Sequence, residues 1–409
     1  MAAAVVSGLV ACAGGREGER LDRGGQSIAV RPLESPASPG SGEPNLAVAP
    51  DGRVLLSWIE PAGEEGHRLR LASRAGAAGW STPVTVAEGA GWFVNWADFP
   101  SVTAAADGTL FAHWLAKSGK GPYAYDVRVS ASRDGGTTWG RPVTPHRDGT
   151  QSEHGFVSML PWGPREIGIV WLDGRKMAAA GHGAHGGAPG AMSLMHTTLE
   201  ADGSLGPETL LDDRVCDCCQ TDAVRAGEAS VVVYRDRSEK EIRDMSVVRF
   251  AGGRWTAPRA VAQDGWEING CPVNGPAIAA SGVSVAVAWF TAAGGVPRVK
   301  VAFSPDSGAT FSPPIVVDGG RPLGRVDVVA LGDGSVLVAW LEQTDAGAAL
   351  RLRRVGAEGA TGAAVTVADS SAARSSGFPR MARSGDEVTL AWRDAADPPR
   401  VRTAVVAAD

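Results

Sequence analysis

The sequence GIVWLD at residues 168–173 carries the pattern that decides the fold: an apolar strand ends in an aromatic residue and runs into a polar turn. The pattern recurs along the chain, and its seven copies centre on Trp58, Trp114, Trp171, Tyr234, Trp289, Trp340 and Trp392. Successive aromatic residues lie 51 to 63 residues apart. A repeat of this length is typical of propellers and solenoids.

Each copy is preceded by another apolar strand that ends in a tight turn, as in PNLAVAPDG at residues 44–52. Two further strands follow, as in RLRLASR at 68–74 and STPVTVAE at 81–88. Four antiparallel strands per unit, with no helical period between them, are typical of a propeller blade. We therefore predict an all-β, seven-bladed β-propeller, with a six-bladed ring as the alternative.

The two ends of the repeat array predict how the ring closes. After Trp392 only one more strand, PRVRTAVVA at residues 399–407, is present, so the last blade lacks a strand. A spare strand, QSIAVRPLE at residues 26–34, precedes the first unit. Pairing the two segments would complete the blade and remove an exposed sheet edge. We predict closure between residues 26–34 and 399–407.

Composition and charge agree with this architecture and exclude one class of partner. The chain has 54 glycines, 26 prolines and 13 tryptophans in 409 residues, which favours many short strands joined by tight turns. Its formal net charge is -6. Because binding to phosphate needs a clustered positive surface, we expect no nucleic-acid partner.

The first residues resemble a targeting signal. A short apolar run ends in LVAC at residues 9–12, which resembles the bacterial lipobox, and it is too short to span a bilayer. We therefore predict a signal segment at 1–12, a disordered tether at 13–25 and one propeller domain at 26–409. The expected product is an exported monomer, periplasmic or on the cell surface, that meets the membrane only through lipid on Cys12. No lysine or arginine precedes the run, so a truncated start and a chance apolar terminus are the alternatives.

Four further cysteines form two groups at equivalent places in neighbouring repeats. The fourth unit begins with Cys216, Cys218 and Cys219, and the fifth begins near Cys271. An even number of cysteines in an exported chain favours disulfides, and one between the two groups would join two loops. Metal binding and free thiols are the alternatives. Copper or zinc would also suit three histidines, which lie in a glycine-rich insertion and in the strand after it: His182, His185 and His196. A flexible surface loop without a metal is the alternative for this insertion.

Two turns carry a recognisable motif. SRDGGTTW at residues 132–139 resembles the Asp-box, or BNR repeat, of the sialidase superfamily; SPDSGATF at 304–311 is a second copy, and SRAGAAGW at 73–80 is a decayed third. In such a turn the aspartate and the hydroxyl group accept backbone hydrogen bonds, and glycine supplies a positive φ. We expect these motifs to stabilise turns and to take no part in catalysis. The cysteine motifs CDCC and NGCPVNGP resemble those of uncharacterised bacterial sialidase-like lipoproteins.

The resemblance implies a type of chemistry as well as a fold. Sialidases of this superfamily have six blades, an arginine triad for the substrate carboxylate, a tyrosine nucleophile paired with glutamate, and an aspartate acid/base. This chain has seven repeats, and only Arg31-Pro32 matches the early arginine motif, loosely. Tyr234 occupies the packing position of a repeat, so a tyrosine nucleophile would be Tyr123 or Tyr125.

The two faces of the ring are predicted to differ. The Asp-box turns mark one face, and the polar loops that follow second strands or join blades converge at a central mouth on the other. Paired carboxyl groups would serve hydrolysis, and arginines would bind an anion. The predicted catalytic residues are Asp98, Asp173, Asp236 and Glu267, and the predicted ligand-binding residues are Arg175, Arg235, Arg237, Arg325, Arg393, Trp96, Trp266 and Asn269.

These features predict a sialidase-like propeller that recognises or hydrolyses glycans or another anionic ligand, in the manner of an exo-α-sialidase or a related glycoside hydrolase. Whether it is an enzyme stays open at this point. The rival hypothesis is a non-catalytic propeller that binds a protein, copper or zinc, and in that case the arginines are solvated ion pairs on loops.

Overall fold

Seven small antiparallel sheets follow one another in a ring in the computed structural model, which describes Met1 and residues 28–178, 191–359 and 361–408. The inner strand of each sheet contacts the inner strand of the next, and the seventh sheet contacts the first. The chain is therefore a seven-bladed β-propeller, which confirms the predicted fold and excludes the six-bladed alternative. No helix among the described residues is long and apolar enough to cross a membrane.

The strands of the first four blades are as follows. Blade one contains β2 (Gly42–Val48), β3 (Val54–Ala62), β4 (Gly66–Arg74) and β5 (Val84–Ala90). Blade two contains β6 (Ser101–Ala104), β7 (Leu110–Lys117) and β8 (Tyr125–Ser132). Blade three contains β9 (His154–Pro161), β10 (Glu166–Asp173), β11 (Met192–Glu200) and β12 (Thr209–Val215). Blade four contains β13 (Asp222–Ala226), β14 (Ala229–Arg235), β15 (Met245–Ala251), β16 (Arg254–Trp255) and β17 (Arg259–Ala260).

The last three blades complete the ring. Blade five contains β18 (Ala277–Ser281), β19 (Ser284–Thr291), β20 (Arg298–Ser304) and β21 (Ile315–Val316). Blade six contains β22 (Pro322–Ala330), β23 (Val336–Thr344), β24 (Gly347–Val355) and β25 (Val365–Ser370). Blade seven contains β26 (Arg380–Ser384), β27 (Glu387–Arg393), β28 (Val401–Ala407) and β1 (Arg31–Leu33). The helical pieces are α1 (Arg175–Ala178) and two 3-10 turns at Ala293–Gly295 and Arg374–Ser376.

The ring closes with the spare amino-terminal strand. Arg31 pairs with Val405 and Leu33 pairs with Thr403, so β1 is the outer strand of blade seven. This confirms the predicted closure between the two ends of the repeat array. It also covers an edge of β28 that would otherwise present unpaired backbone groups.

The repeated aromatic residues pack between blades. Trp58, Trp171, Trp289 and Trp340 are all at most 1% exposed, and each contacts apolar side chains of the preceding blade as well as its own. Three of these indoles donate to an acid two positions further on, as Trp171 Nε1 does to Asp173 Oδ2 at 2.8 Å. A buried indole N–H needs such an acceptor. The acid in the WIE, WLD and WLE copies is therefore part of the blade core.

The two complete Asp-box turns have the hydrogen bonds expected of them. Asp134 Oδ1 accepts the Thr138 N–H at 2.9 Å, and Ser132 Oγ accepts the Gly136 N–H at 2.9 Å. Asp306 accepts the Thr310 N–H at 2.8 Å in the same way. Hydrogen bonds from Thr138 and Ser132 lower the pKa of Asp134 to about 2. Both turns join the third strand of a blade to its outer segment, on the face away from the blade-connecting loops.

Candidate functional site

Loops from different blade connections meet at a central cleft of about 290 Å³. The connection between blades one and two supplies Phe93 and residues 95–98, and later connections supply Glu153, Cys218, Cys271 and Arg374. Tyr125, the first residue of β8, completes the wall nearest blade two. The cleft therefore lies on the face opposite the Asp-box turns, as a propeller site at the central mouth should.

The most compact polar group in this cleft is formed by Asp98, Tyr125 and Glu153. Tyr125 Oη lies 2.7 Å from Asp98 Oδ2 and 3.0 Å from Glu153 Oε1, and all three side chains are buried. A phenol has one hydrogen to donate, so it serves one of the two carboxyl groups at a time. A proton held by Asp98 supplies the second hydrogen bond.

The protonation of Asp98 follows from its surroundings. Burial raises the pKa of this carboxyl group to about 7, against the opposing effect of hydrogen bonds from Tyr125 and the Phe156 N–H. Burial, together with the charges of Asp98 and Glu153, raises the pKa of Tyr125 well above its ordinary value. Asp98 thus exchanges its proton near neutral pH, whereas Tyr125 stays a phenol unless a base removes its proton.

The backbone of β9 brings these groups together. Glu153 forms a parallel bridge with Tyr125, and a bulge between β9 and β10 follows directly. Phe156 has φ 52°, a left-handed conformation that is costly for a bulky residue, and its N–H donates to Asp98 Oδ1 at 2.7 Å. At Gly155 a methyl group would overlap Asp98 Oδ2, so only glycine allows the close approach.

An aromatic and cationic wall faces the acids. Trp96 lines the cleft and stacks on Phe378 with ring centroids 5.9 Å apart, while the Arg325 guanidinium lies 4.9 Å from the Trp96 ring centre. Arg325 Nη1 also donates to the Ala373 carbonyl at 3.0 Å, next to Arg374 in the cleft wall. Burial and then the charge of Arg374 lower the pKa of Arg325 to about 10. This side of the cleft suits a sugar ring carrying a negative charge.

The other predicted arginines are committed to contacts outside the cleft. Arg235 donates to the carbonyls of Asn274, Arg243 and Phe290 and lies 4.7 Å from the Trp266 ring centre. Arg237 pairs with Asp217 and Glu241. Arg175 pairs with Asp173 and Glu208, and Arg393 donates to the Ser375 carbonyl. The structure does not bring these arginines together in one clamp.

The four predicted acids also separate. Asp98 alone lines the cleft. Asp173 is fully buried and is hydrogen-bonded to Trp171 and Arg175. Asp236 directly follows β14 and accepts the Arg237 N–H, and burial raises its pKa to about 6. Glu267 and Asn269 are exposed in the loop before blade five, and Trp266 is buried.

Two stacked histidines form a second polar cluster, between blades two and three. The rings of His146 and His154 lie 3.7 Å apart, and His154 Nε2 is 2.9 Å from Asp148 Oδ2. Burial acts to lower the pKa of His154, but the hydrogen bond and the charges of Asp148 and Asp173 raise it overall. The ligand atoms of Asp148, His154 and Asp173 lie close enough together to hold a metal ion. Because Arg175 already pairs with Asp148 and Asp173, the cluster is neutralised internally.

The cysteines of blades four and five meet at the cleft wall. Cys216 Sγ lies 3.1 Å from Cys219 Sγ and 3.9 Å from Cys218 Sγ, and Cys218 is hydrogen-bonded to Cys271. Cys216, Cys218 and Cys219 are thiols in this structure, since the separations of Cys216 from the other two exceed the roughly 2 Å of a disulfide bond. The predicted disulfide is therefore not formed here, while the expected contact between the two groups is present.

The remaining predicted ligands are elsewhere or outside the described residues. His196 is buried between Trp162 and Trp255, with ring centroids 4.8 and 4.9 Å away, and burial lowers its pKa to about 4. His182, His185 and Cys12 lie outside the described residues. The lipid anchor and the domain boundaries stay predictions.

Sequence reasoning missed Glu153 and Arg374 as site residues and left Tyr125 as one of two alternatives. Glu153 and Arg374 lie in blade-connecting loops, and this position is the sequence feature that could have indicated them. Nothing in the local sequence distinguishes them from other polar loop residues, because their partners come from different blades.

Comparisons with known proteins bear on the fold of the chain and on no specific activity. No protein-family model matches the chain, and no curated protein matches its sequence. Among solved structures, a protein of unknown function from Dyadobacter fermentans is 13% identical with a TM-score of 0.50, over 94% of this chain and 99% of that one. An ulvan lyase is 12% identical with a TM-score of 0.50, over 80% of both chains. The NanB sialidase of Streptococcus pneumoniae is 12% identical with a TM-score of 0.46, over 94% of this chain and 70% of that one. At these identities the two structures with a TM-score of 0.50 show the fold alone.

Proposed function

We propose that the central cleft hydrolyses a glycosidic bond of an anionic glycan. The observation that carries this proposal is the contact of one phenol oxygen, Tyr125 Oη, with two buried carboxyl groups, Asp98 and Glu153, in a cleft that also contains Trp96 and Arg374. Two carboxyl groups with separate roles are the usual requirement of glycoside hydrolysis.

The environments of the two acids assign their roles. Asp98, whose pKa is raised to about 7, donates its proton to the leaving oxygen. Glu153 accepts the phenol proton while Tyr125 Oη attacks the anomeric carbon, which forms a glycosyl-tyrosine and releases the leaving alcohol. In the second stage Asp98 removes a proton from water, the hydroxide displaces Tyr125, and Glu153 returns the proton to the phenol oxygen. The cycle consumes one water and restores every group.

The opposite wall supports an anionic sugar. Trp96, fixed by its contacts with Phe378 and Arg325, presents its ring edge to the cleft as an apolar contact for a sugar, and Arg374 offers a guanidinium for a carboxylate or sulfate group. Propellers of similar fold bind such glycans: the ulvan lyase structure contains a glucuronate linked to a sulfated rhamnose. That protein is a lyase, so the reaction type needs its own test.

The test uses fluorogenic glycosides of sialic acid, glucuronic acid and a sulfated sugar, with a neutral glucoside as reference. We expect turnover of an anionic glycoside above the neutral one, and a kcat lower by about 100-fold or more in Tyr125→Phe, because the variant keeps the ring and removes the nucleophile. Tyr234→Phe is the matched control: its hydroxyl contacts Asp212 in the blade core, so turnover should persist.

Three results would contradict the proposal. Full activity in Tyr125→Phe would remove the phenol from the mechanism. An unsaturated product, detected by its ultraviolet absorbance, would identify an elimination and hence a lyase. Binding of the glycosides without turnover of any of them would favour a lectin-like propeller.

A further inference from the structure

The cysteine cluster has a geometry that neither the fold nor the proposed hydrolysis explains. The Sγ atoms of Cys216, Cys218 and Cys219 all lie within 4.8 Å of one another, and the three side chains are 1%, 7% and 1% exposed. Three thiolates at about 2.3 Å from a shared ion stand about 4 Å from one another. The 3.9 Å between Cys216 and Cys218 fits that value, and the 3.1 Å between Cys216 and Cys219 fits after a small outward movement.

The loop that carries the cysteines is fixed by the residues between and beside them. Asp217 accepts the Met192 N–H at 3.2 Å and pairs with Arg237 at 2.8 Å. The Gln220 side chain donates to the Ala97 carbonyl and accepts the Gly275 N–H at 3.0 Å. These non-cysteine side chains anchor the backbone to neighbouring blades. The three sulfur atoms are thereby held together before any ion arrives, which lowers the entropic cost of binding.

Buried positive charge adjoins the sulfur atoms. Arg243 Nη1 lies 3.4 Å from Cys216 Sγ, its side chain is 3% exposed, and its Nε has no hydrogen-bond partner among the described atoms. Its ion pair with Glu241, at 2.8 Å, is shared with Arg237, so one carboxylate serves two guanidinium groups. A buried guanidinium is costly next to neutral thiols and favourable next to a negatively charged thiolate cluster. Arg243 is therefore a second observation, independent of the spacing, that indicates an anionic sulfur site.

The ligand set favours one kind of ion. Thiolates alone select soft ions such as Cu(I), zinc and iron–sulfur clusters, and structural zinc is almost always four-coordinate. Cys271 contacts Cys218 but lies outside the group of three mutually close sulfur atoms. A three-sulfur set therefore fits Cu(I) better than zinc. Cys218 also lines the central cleft, which supplies a path of entry.

We propose that Cys216, Cys218 and Cys219 bind one Cu(I) ion in the wall of the central cleft. No step of the proposed hydrolysis uses these three sulfur atoms, so the two proposals are tested independently.

The test is an anaerobic titration of the full chain, reduced and stripped of metal, with Cu(I) in competition with a chromophoric Cu(I) chelator. We expect one Cu(I) per chain. Replacing Cys216 or Cys219 by serine should lower the affinity by about 100-fold or more, because each removes a ligand. Cys271→Ser is the matched control, since Cys271 lies outside the three-sulfur group, and it should change the affinity by less than about tenfold.

Copper X-ray absorption of the wild-type complex gives an answer that needs no variant: three sulfur neighbours are expected. The proposal is overturned if the reduced protein takes up no Cu(I) from the chelator, or if Cys216→Ser and Cys219→Ser bind Cu(I) as tightly as the wild type does. It is also overturned if zinc binds more tightly, with Cys271 as an essential fourth ligand. Rapid closure of two disulfides that exclude the ion would overturn it in favour of a purely structural role.

Discussion

Asp98 and Asp173 are buried acids on the same face of the propeller, and their environments are opposite. Asp98 meets a phenol and a backbone N–H, with no cation among its hydrogen-bond partners, and its pKa is raised to about 7 by burial. Asp173 receives two hydrogen bonds from the Arg175 guanidinium and one from Trp171. Burial acts to raise its pKa, but Arg175 and His154 hold it below the ordinary value. Charge compensation, more than burial, distinguishes the reactive acid from the structural one.

The largest expected effect is on catalysis at Asp98. Asp98→Asn keeps the size of the side chain and removes the exchangeable proton, so kcat should fall by about 100- to 10,000-fold. At a pH well below 7, where the wild-type carboxyl group is also neutral, thermal stability should change little, because the amide can still accept from Phe156 and contact Tyr125. Steady-state kinetics and a thermal melt measure both quantities. If the melting temperature falls and the folded fraction keeps its activity, Asp98 is a structural acid, the role that we assign to Asp173.

The next effect is on stability at Asp173. Asp173→Asn leaves Arg175 and the Trp171 indole with a neutral partner in a buried site, and we expect a loss of about 3 kcal/mol in the free energy of unfolding. Denaturant unfolding of the variant against wild type measures it. Activity per folded molecule should persist at conditions where the variant is folded. Normal stability combined with lost turnover would make Asp173 catalytic and break the comparison.

The smallest effect is the pH dependence of stability, which should have opposite signs at the two acids. The folded-state pKa of Asp98 is raised from 3.8 to about 7, so its contribution to stability is present below pH 3.8 and is lost as the pH rises towards 7. The folded-state pKa of Asp173 is lowered, so its contribution is complete above 3.8 and is lost as the pH falls further. Unfolding curves of wild type, Asp98→Asn and Asp173→Asn across this range separate the two. Identical pH profiles for both variants would show that their environments do not differ.

The sequence predicted the architecture because the repeat is local. Each aromatic strand and its turn are encoded within one stretch of chain, and the spare strand at residues 26–34 could be matched to the incomplete last blade by counting. The same locality explains the surroundings of Asp173. An acid two positions after a tryptophan accepts the hydrogen bond of that buried indole. Trp58 with Glu60 and Trp340 with Glu342 show the same contact. The repeated sequence pattern that predicts the blade therefore also explains why an acid stands at position 173.

The site was harder to predict because its contacts join distant parts of the chain. Arg235 was predicted to bind a ligand, yet its guanidinium donates to carbonyls of Asn274 and Phe290, 39 and 55 residues further on. Tyr125, Asp98 and Glu153 meet through two blade connections and a bulged strand. Side-chain type alone does not reveal which arginine is already satisfied by backbone carbonyls, and no local rule selects the acid that lacks a cation.

The most direct measurement is a carboxyl carbon NMR titration of the wild type with Asp98→Asn used to assign the signal. An uncompensated buried carboxyl group predicts an Asp98 pKa of about 7. An Asp98 that titrates near 4 or below would mean that the carboxyl group is ionised at neutral pH, and it would contradict its role as the proton donor in the cleft.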